Sequence, residues 1–314
     1  MPTNMDSRLA IVVVNYGSHR LLETNIAKVS AHTPEAAVII VDNFSDAGER
    51  EAICRLADRQ GWTLLTSSTN IGFGGGVNMG VSAAIECGAQ RFLLLNPDAS
   101  IGRKDLTALQ DAVAADPKAM VSPRIFRTDG TVWFDGSDVY LDNGETRSTR
   151  RRNRTSGARL RPWLTGACLM ISRELWELAG GFNEEYFLYW EDVDFSFRVV
   201  AAGGNLRVLK GASAIHDEGG THLERSHQAR AKSTLYYYYN VRNRLLFAAL
   251  NLPPADVAKW RRTAIPAAYD ILLRGGRRQF FRPAGAVLAA AQGTRDGWKL
   301  SKRPPGLGEE SLHL

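Results

Sequence analysis

The segment Arg91-Phe-Leu-Leu-Leu-Asn-Pro-Asp98 joins a short apolar run to a polar turn. The four apolar residues from Phe92 to Leu95 predict a strand that is buried on both faces. Pro97 has no N–H group to donate, so the strand ends there or lies at a sheet edge. Ligands of open α/β sheets bind beyond the carboxyl ends of the strands, and Mg²⁺ takes few protein oxygens besides phosphate and water. Asn96 and Asp98 therefore suit a metal–phosphate site, although the same residues also favour an ordinary turn.

Strand and helix patterns alternate through the first 95 residues. Buried strands are predicted at 9–14 and 37–41, a further strand at 63–67, and a helix at 47–60. This alternation is typical of a parallel sheet covered by helices on both faces. Polar residues follow three of the strands, at Asn15, Asp42 and Asp98, so we expect them on one rim of the sheet.

A glycine-rich stretch, residues 69–80, leads into the next helix. We expect Gly72 and the three glycines at 74–76 to lie before that helix, where backbone N–H groups can approach a phosphate. The stretch matches neither the Rossmann nor the Walker pattern, and a flexible loop explains it equally well. Asn70 and Asn78 add polar groups that suit a ribose or a base.

Seven arginines lie between residues 142 and 161, and no acidic residue occurs from 146 to 161. This composition predicts a mobile surface loop. Such a loop is either a solvated face or a region that attracts a pyrophosphate-bearing substrate. The arginines are Arg147, Arg150, Arg151, Arg152, Arg154, Arg159 and Arg161.

Three acids lie close together in Trp190-Glu-Asp-Val-Asp194, at the start of a predicted helix. Acids at a helix N-terminus interact favourably with its dipole, but three in four residues exceed that need, and one is a candidate for proton abstraction. His216 follows another strand and is either a ligand or a core residue. Trp163 is either a core residue or a platform for a sugar.

The overall composition is that of a globular protein. The 314 residues are 44% hydrophobic and 23% charged, with a net charge of +6 that favours anionic partners. Three widely spaced cysteines predict neither a disulfide framework nor a zinc site. We identify no signal peptide and no apolar run of 18 residues, so the expected location is cytoplasmic.

Taken together, these motifs resemble family 2 glycosyltransferases of the GT-A fold, close to the rhamnosyltransferase-like branch of bacterial cell-surface polysaccharide synthesis. The resemblance covers about residues 8–220. It implies a mostly parallel α/β sheet flanked by helices, with a catalytic domain at 1–222 and a helical, basic, amphipathic region at 223–314. The matching segments are Val13-Val-Asn-Tyr16, Val41-Asp-Asn43, Asn70–Asn78, Leu94-Leu-Asn-Pro-Asp98, Leu164-Thr-Gly-Ala167, Trp190-Glu-Asp-Val-Asp194 and His216.

The resemblance also implies roles for individual residues. Asp98 and His216 would bind Mg²⁺ or Mn²⁺, and Asp192 would be the catalytic base, with Glu191 beside it. Asn96 departs from the Asp-x-Asp form of many relatives, so its place is with the nucleotide sugar. Trp163 and Trp190 are assigned to the donor or acceptor sugar. The nucleotide-sugar-binding residues would be Asn15, Tyr16, Asp42, Asn70, Gly72, Asn78, Asn96, Thr165, Gly166 and Ala167.

The implied activity is metal-dependent glycosyl transfer with inversion, by one in-line displacement. The first choice of donor is dTDP-rhamnose, with a UDP-linked galactofuranosyl or N-acetylglucosaminyl donor as the alternative, and the acceptor is a lipid-linked saccharide or polysaccharide. A nucleotidyltransferase on a similar sheet, and a basic module that binds anions or membrane without catalysis, are the competing hypotheses. Nucleic acid is not an expected partner.

The C-terminal stretch 259–282 carries seven basic residues and one acid among apolar and aromatic residues. This pattern is typical of a helix that lies on a membrane surface. Packing of the same helix on its own domain, or on a second copy in a homodimer, explains it equally well.

Overall fold

The fold comes from a computed structural model that describes residues 8–154, 157–217, 232–276, 280 and 285–302. The predicted boundary at residue 222 lies outside the described residues, as do 277–279 and 281–282 of the basic C-terminal stretch. The strands are β1 (Leu9–Asn15), β2 (Ala37–Asp42), β3 (Thr63–Thr66), β4 (Arg91–Leu95), β5 (Ala99–Ile101), β6 (Ala119–Phe126), β7 (Val132–Phe134), β8 (Ser137–Tyr140), β9 (Glu145–Ser148), β10 (Leu160–Trp163), β11 (Cys168–Ser172) and β12 (Asn205–His216).

The helices form two groups, one around the central sheet and one at the C-terminal end. Leu22–Ile26 is a π-helical turn between α1 and α2, and Thr149–Arg154 and Glu184–Tyr186 are 3₁₀ turns. The α-helices are α1 (His19–Leu21), α2 (Ala27–Ala31), α3 (Ala47–Gln60), α4 (Gly72–Glu86), α5 (Arg103–Ala115), α6 (Arg173–Ala179), α7 (Glu191–Ala201), α8 (Thr234–Asn251), α9 (Pro254–Arg262), α10 (Ala264–Leu273) and α11 (Gly285–Leu300).

The central sheet confirms the predicted α/β fold. Its strand order is β3-β2-β1-β4-β11-β6-β12-β5, with β7 paired to β6. The first four strands are parallel neighbours, and every residue of β1 is buried, as expected for a strand covered on both faces. Beyond β4 the sheet is mixed, because β11 runs antiparallel to both β4 and β6.

The polar ends of the first strands lie on one rim, as predicted. Asn15 at the end of β1 is the register partner of Asp42 at the end of β2. The backbone N–H of Asn43 donates to Asn15 O at 2.9 Å, which extends the pairing by one step. Since β4 is the other parallel neighbour of β1, the turn after β4 opens on the same rim.

The expectation that Gly72 and the three glycines at 74–76 lie before α4 is wrong. The helix begins at Gly72, and the three glycines at 74–76 are buried inside it. A Cβ atom at Gly76 would lie 2.8 Å from Val14 Cγ1, and one at Gly80 would lie 2.5 Å from Val12 Cγ1. These two glycines therefore allow α4 to pack directly against β1.

The prediction of a mobile arginine-rich loop is also wrong. Residues 145–163 contribute β9, a 3₁₀ turn and β10, and the two strands flank β8 in a small antiparallel sheet. The Arg152 guanidinium donates two hydrogen bonds, of 2.6 and 2.5 Å, to the fully buried carboxylate of Asp138. Arg159 likewise donates to Asp256, at 3.0 and 2.7 Å. Asp138 and Asp256 lie outside this segment, so its own composition does not show that Arg152 and Arg159 are paired.

The C-terminal helices pack onto the rest of the protein through a second hydrophobic core. Trp260 of α9 is fully buried, and its indole N–H donates to Leu141 O at 2.7 Å. Val139 of β8 and Val193 of α7 belong to the same core. Within the described part of the chain, no helix combines the length and the apolar character needed to cross a membrane.

Candidate active site

The ends of β1 and β2 carry buried polar atoms with unmet hydrogen-bonding capacity. Asn15 is fully buried, and neither atom of its amide has a hydrogen-bond partner among the described residues. Asp42 is also fully buried. Its Oδ2 accepts from Arg50 Nε at 2.6 Å, while its Oδ1 has no hydrogen-bond partner among the residues that the structure describes. Buried polar groups are normally hydrogen-bonded, so such an exception indicates a ligand or a water. Tyr16, which follows directly, is 55% exposed and free to cover a planar ligand.

Asn43, which the sequence analysis did not assign to the site, organises the start of α4. Its Oδ1 accepts from Ile71 N at 2.8 Å, and its Nδ2 donates to Gly72 O at 2.9 Å and to Asn70 Oδ1 at 3.0 Å. Asn70 Oδ1 also accepts from Gly72 N at 2.9 Å. Asn70 therefore stabilises the backbone beside the rim. The signal for Asn43 was its place directly after Asp42.

Gly72 and Asn78 both lie against the segment of residues 182–187. Gly72 has φ +82, and a Cβ atom there would come within 2.8 Å of Phe187 Cα. Asn78 Nδ2 donates to Phe182 O and to Glu184 Oε1, both at 2.9 Å, and Asn78 Oδ1 accepts from Phe182 N at 2.9 Å. Residues 182–184 thus engage the side-chain amide of Asn78, and its expected contact with ribose or diphosphate stays a prediction.

The turn after β4 lies against the segment that precedes β11. Leu95 is the register partner of Cys168, and Asn96 N donates to Ala167 O at 2.9 Å. Asn25 Nδ2 holds the turn from the other side by donating to Pro97 O at 3.0 Å. Asp98 and the 165–167 segment are therefore neighbours on the rim.

Asp98 and His216 form the candidate metal site. His216 Nε2 lies 3.2 Å from Asp98 Oδ1, and Trp133 stacks on the imidazole with a centroid distance of 4.3 Å. Both imidazole nitrogens are buried without a hydrogen-bond partner among the described residues, and imidazole nitrogen is a common metal ligand in proteins. The described residues contain no group of three or more His, Cys, Asp or Glu able to hold a metal. Two protein ligands fit a cation whose remaining positions are filled by diphosphate oxygens and water.

Asp192 lies at the start of α7 and faces the same segment. Its Oδ2 accepts from Gly166 N at 3.2 Å and its Oδ1 from Val193 N at 2.8 Å. Burial raises the pKa of Asp192 to about 6, so the group is largely ionised at neutral pH while remaining a useful base. Thr165 Oγ1 accepts from Ala167 N at 3.3 Å and fixes the segment between the two acids.

The other two acids of the cluster have different environments. Glu191 is buried, and burial together with the neighbouring charge of Asp192 raises the pKa of Glu191 well above its usual value. Asp192, which accepts from the backbone of the 165–167 segment, is therefore the candidate base. Asp194 accepts hydrogen bonds from Tyr186 Oη at 3.1 Å and Arg198 Nε at 2.8 Å, so it stabilises the helix.

The two tryptophans assigned to a sugar differ in position. Trp190 is buried, with ring centroids 5.3 Å from Phe247 and 6.2 Å from Trp260, and its expected contact with a sugar stays a prediction. Trp163 is half-buried at the end of β10, 5.8 Å from the Phe134 ring, and its buried Nε1 has no hydrogen-bond partner among the described residues. The position of Trp163 fits both a core residue and a platform for a sugar.

Comparison with known proteins shows the family of the chain. The family model described as glycosyl transferase family 2 matches residues 10–178. The chain is 28% identical over 245 residues to the low-salt glycan biosynthesis hexosyltransferase Agl10 of Haloferax volcanii, covering 76% of this chain and 74% of that protein. It is 27% identical over 237 residues to the N-acetylglucosaminyl-diphospho-decaprenol L-rhamnosyltransferase of Mycobacterium tuberculosis, covering 68% and 76% of the two chains.

A solved structure supports the fold. The mannosyltransferase PcManGT from Pyrobaculum calidifontis, in complex with GDP-Man and Mn²⁺, superposes with a TM-score of 0.54 at 14% identity, over 93% of this chain and 84% of that one. At this identity the likeness concerns the fold alone. The family match, which spans more than half of the chain, identifies the protein as a glycosyltransferase that belongs to glycosyl transferase family 2.

Proposed function

We propose that the protein moves a sugar, with inversion and with the help of a divalent cation, from a nucleoside diphosphate onto a hydroxyl of a lipid-linked or polysaccharide acceptor. One observation carries the proposal. Asp192 accepts from Gly166 N, and the Asn96-Pro97-Asp98 turn donates through Asn96 N to Ala167 O. A base and a candidate metal ligand therefore flank the same few residues.

The chemistry follows from the roles of these groups. The ionised Asp192 takes the proton of the acceptor hydroxyl as its oxygen forms a bond to C1 of the donor sugar. The bond from C1 to the diphosphate oxygen breaks in the same step, and the nucleoside diphosphate leaves from the opposite face, which inverts the configuration. Mg²⁺ or Mn²⁺ held by Asp98 and His216 would offset the negative charge of the leaving group.

The unpartnered atoms of Asn15 and Asp42 support a nucleoside at the rim of β1 and β2. An amide pairs with the donors and acceptors of a pyrimidine edge, and a carboxylate oxygen accepts from a ribose hydroxyl or from an N–H of the base. The similarity to an L-rhamnosyltransferase favours dTDP-rhamnose as the donor. The similarity to a hexosyltransferase keeps a UDP-sugar as the alternative.

The donor is tested by thermal shift with a panel of dTDP- and UDP-sugars, with and without Mn²⁺, because a ligand that binds only the folded state raises the apparent stability. We expect dTDP-rhamnose with Mn²⁺ to give the largest shift and to be consumed when a polyprenyl-diphosphate saccharide is added. A panel in which no nucleotide sugar raises the melting temperature contradicts the proposal.

The same proposal places the protein at the inner face of the cell membrane. Ile265 and Tyr269 of α10 are exposed one turn apart, and Phe280 lies 5.4 Å from the Tyr269 ring. Exposed Arg262 and Arg274 flank them, which suits an anionic lipid surface. Sedimentation with phosphatidylglycerol vesicles should capture the wild type and release an Ile265→Ser/Tyr269→Ser variant. A homodimer that buries this face, seen by sedimentation velocity, contradicts the membrane assignment.

A further inference from the structure

The segment before α7 is held in a strained conformation. Phe187, Tyr189 and Trp190 have φ values of +61, +65 and +77, a region that residues other than glycine rarely adopt. Phe187 is the centre of a tight γ-turn in which Leu188 N donates to Tyr186 O at 2.7 Å. Such backbone persists only where the surrounding structure holds it in place.

One side chain of α8 holds much of this segment in place. Asn243 is fully buried, and its Nδ2 group donates to Tyr186 O at 2.8 Å, Leu188 O at 2.9 Å and Tyr189 O at 2.8 Å. The remaining carbonyl of the turn, Phe187 O, accepts from Phe73 N at 2.8 Å. The carbonyls of residues 186–189 are thus all bound by groups from α8 or α4, or within the turn itself.

The strained segment sets the start of the helix that carries the candidate base. Trp190 is the N-terminal capping residue of α7, and its carbonyl accepts from Asp194 N at 2.9 Å. Asp192 reaches Gly166 N from the first turn of that helix. A change in the 186–190 backbone therefore moves Asp192 relative to the 165–167 segment.

We propose that Asn243 is a positioning residue for glycosyl transfer: it holds residues 186–190 in their positive-φ conformation and so places Asp192 against Gly166. This inference rests on the proposed role of Asp192 as the base. Asn243 lies more than 50 positions after the segment it holds, in the helical region that follows the family match. The C-terminal helices then contribute to the chemistry as well as to the second core.

The test compares Asn243→Ala with Asn240→Ala, a matched change on the same helix. Asn240 Nδ2 donates only one helical turn back, to Tyr236 O at 2.9 Å. We expect Asn243→Ala to lower kcat at least tenfold while the KM for the donor changes less than threefold, because the rim of β1 and β2 is untouched. We expect Asn240→Ala to stay within twofold of wild type in both. Asn243→Ser, which keeps one donor, should fall between them and carries the comparison if the alanine variant does not fold.

Two further readouts separate positioning from a loss of folded protein. Amide hydrogen exchange in peptides covering 186–194 should quicken in Asn243→Ala and not in Asn240→Ala. The rising limb of the kcat/KM profile against pH should move to lower pH in Asn243→Ala, since a loosened segment admits water to Asp192, whereas a smaller folded fraction leaves its position unchanged.

The inference is overturned if exchange in 186–194 is unchanged, or if it quickens while kcat stays within threefold of wild type. A wild-type protein that turns over no nucleotide sugar overturns the proposed function instead. The exchange comparison then still decides whether Asn243 holds the segment.

Discussion

Two regions are rich in polar side chains: the rim of β1 and β2, and the small sheet of β8, β9 and β10. They differ in whether their buried acids have all their hydrogen-bond partners within the protein. At the rim, the Asn15 amide and Asp42 Oδ1 are buried without a partner among the described residues. In the small sheet, the buried Asp138 carboxylate receives both donors of the Arg152 fork. The sequence predicts a ligand at the rim, and it leaves a pyrophosphate-bearing substrate as one of two interpretations of the arginine-rich segment. The buried acid at the rim thus keeps an oxygen without a partner among the described residues, whereas the buried acid of the small sheet is paired, and unmet hydrogen-bonding capacity is the better indicator of a binding site.

The energetic reason is the cost of dehydration. A buried polar group without a partner costs roughly 1–3 kcal/mol, which a ligand can recover when it supplies the partner. A buried carboxylate that is already paired has little to gain from a ligand and much to lose from the removal of its arginine. The two regions should therefore respond to substitution with opposite signs.

The largest effect should come from Asp192→Asn. The amide cannot accept the proton of the acceptor hydroxyl, so we expect transfer to fall by about 10²-fold or more, the usual contribution of a general base. Asp129→Asn, at an exposed turn, is the control and should keep wild-type turnover. Initial rates with saturating donor measure both, and a loss smaller than tenfold in Asp192→Asn would place the base elsewhere.

Removal of the metal should come next. Transfer should stop in excess EDTA and return with Mn²⁺. His216→Ala should raise the Mn²⁺ concentration needed for half-maximal rate by about tenfold, which corresponds to ~1.4 kcal/mol for one lost ligand. His32→Ala, at the end of α2, is the matched control. Full activity in EDTA would remove the metal role of Asp98 and His216.

The pH dependence should report the buried carboxylate. Because burial raises the pKa of Asp192 to about 6, protonation below that pH removes the base. We expect kcat/KM to be flat near neutral pH and to fall about tenfold per pH unit well below 6, as for a single essential ionisation. A rising limb near the usual carboxylate pKa of about 4 would show that Asp192 is solvated in the working enzyme.

The comparison of the two regions is sharpened most directly by Asn15→Leu. Leucine removes the unpartnered amide at similar volume, so the free energy of unfolding should rise by about 1 kcal/mol. The affinity for the nucleoside diphosphate should fall about tenfold, because a ligand loses its hydrogen-bond partner. Urea titration and calorimetry measure the two effects. A loss of stability together with unchanged nucleotide affinity would make Asn15 an ordinary core residue.

The smallest effect on catalysis should come from Arg152→Ala. The substitution leaves the Asp138 carboxylate buried and without Arg152, so the free energy of unfolding should fall by roughly 1–3 kcal/mol. We expect the lower end of this range, because Arg152 itself is half exposed and solvent screens the pair. Transfer measured below the melting transition should be unchanged. Arg161→Ala is the control, since its side chain is exposed. Weaker donor binding in Arg152→Ala would restore the idea that this segment attracts the pyrophosphate.

The residues of the site were predictable where neighbours in sequence decide the structure. The apolar runs of β1, β2 and β4 and the polar residues that end them fix a parallel sheet with Asn15, Asp42 and Asp98 on one rim. The acid cluster at 191–194 was recognisable because an acid-rich helix start follows an aromatic run, and the resemblance to the family selected Asp192 within it. These features depend on the period of the strand and on turn chemistry, both of which act over a few residues.

The sequence alone thus determined the fold class, the family and the group of side chains on the rim. Only the tertiary structure decided which polar groups are already satisfied. It paired Arg152 with Asp138 and Arg159 with Asp256, engaged Asn78 with residues 182–184, and packed Trp190 against the C-terminal helices. It also brought Asn243 onto the strained segment before α7. Each of these partners is separated by 14 to more than 100 positions in the chain, so local pattern and composition carry no information about whether a charge or an amide still needs a ligand.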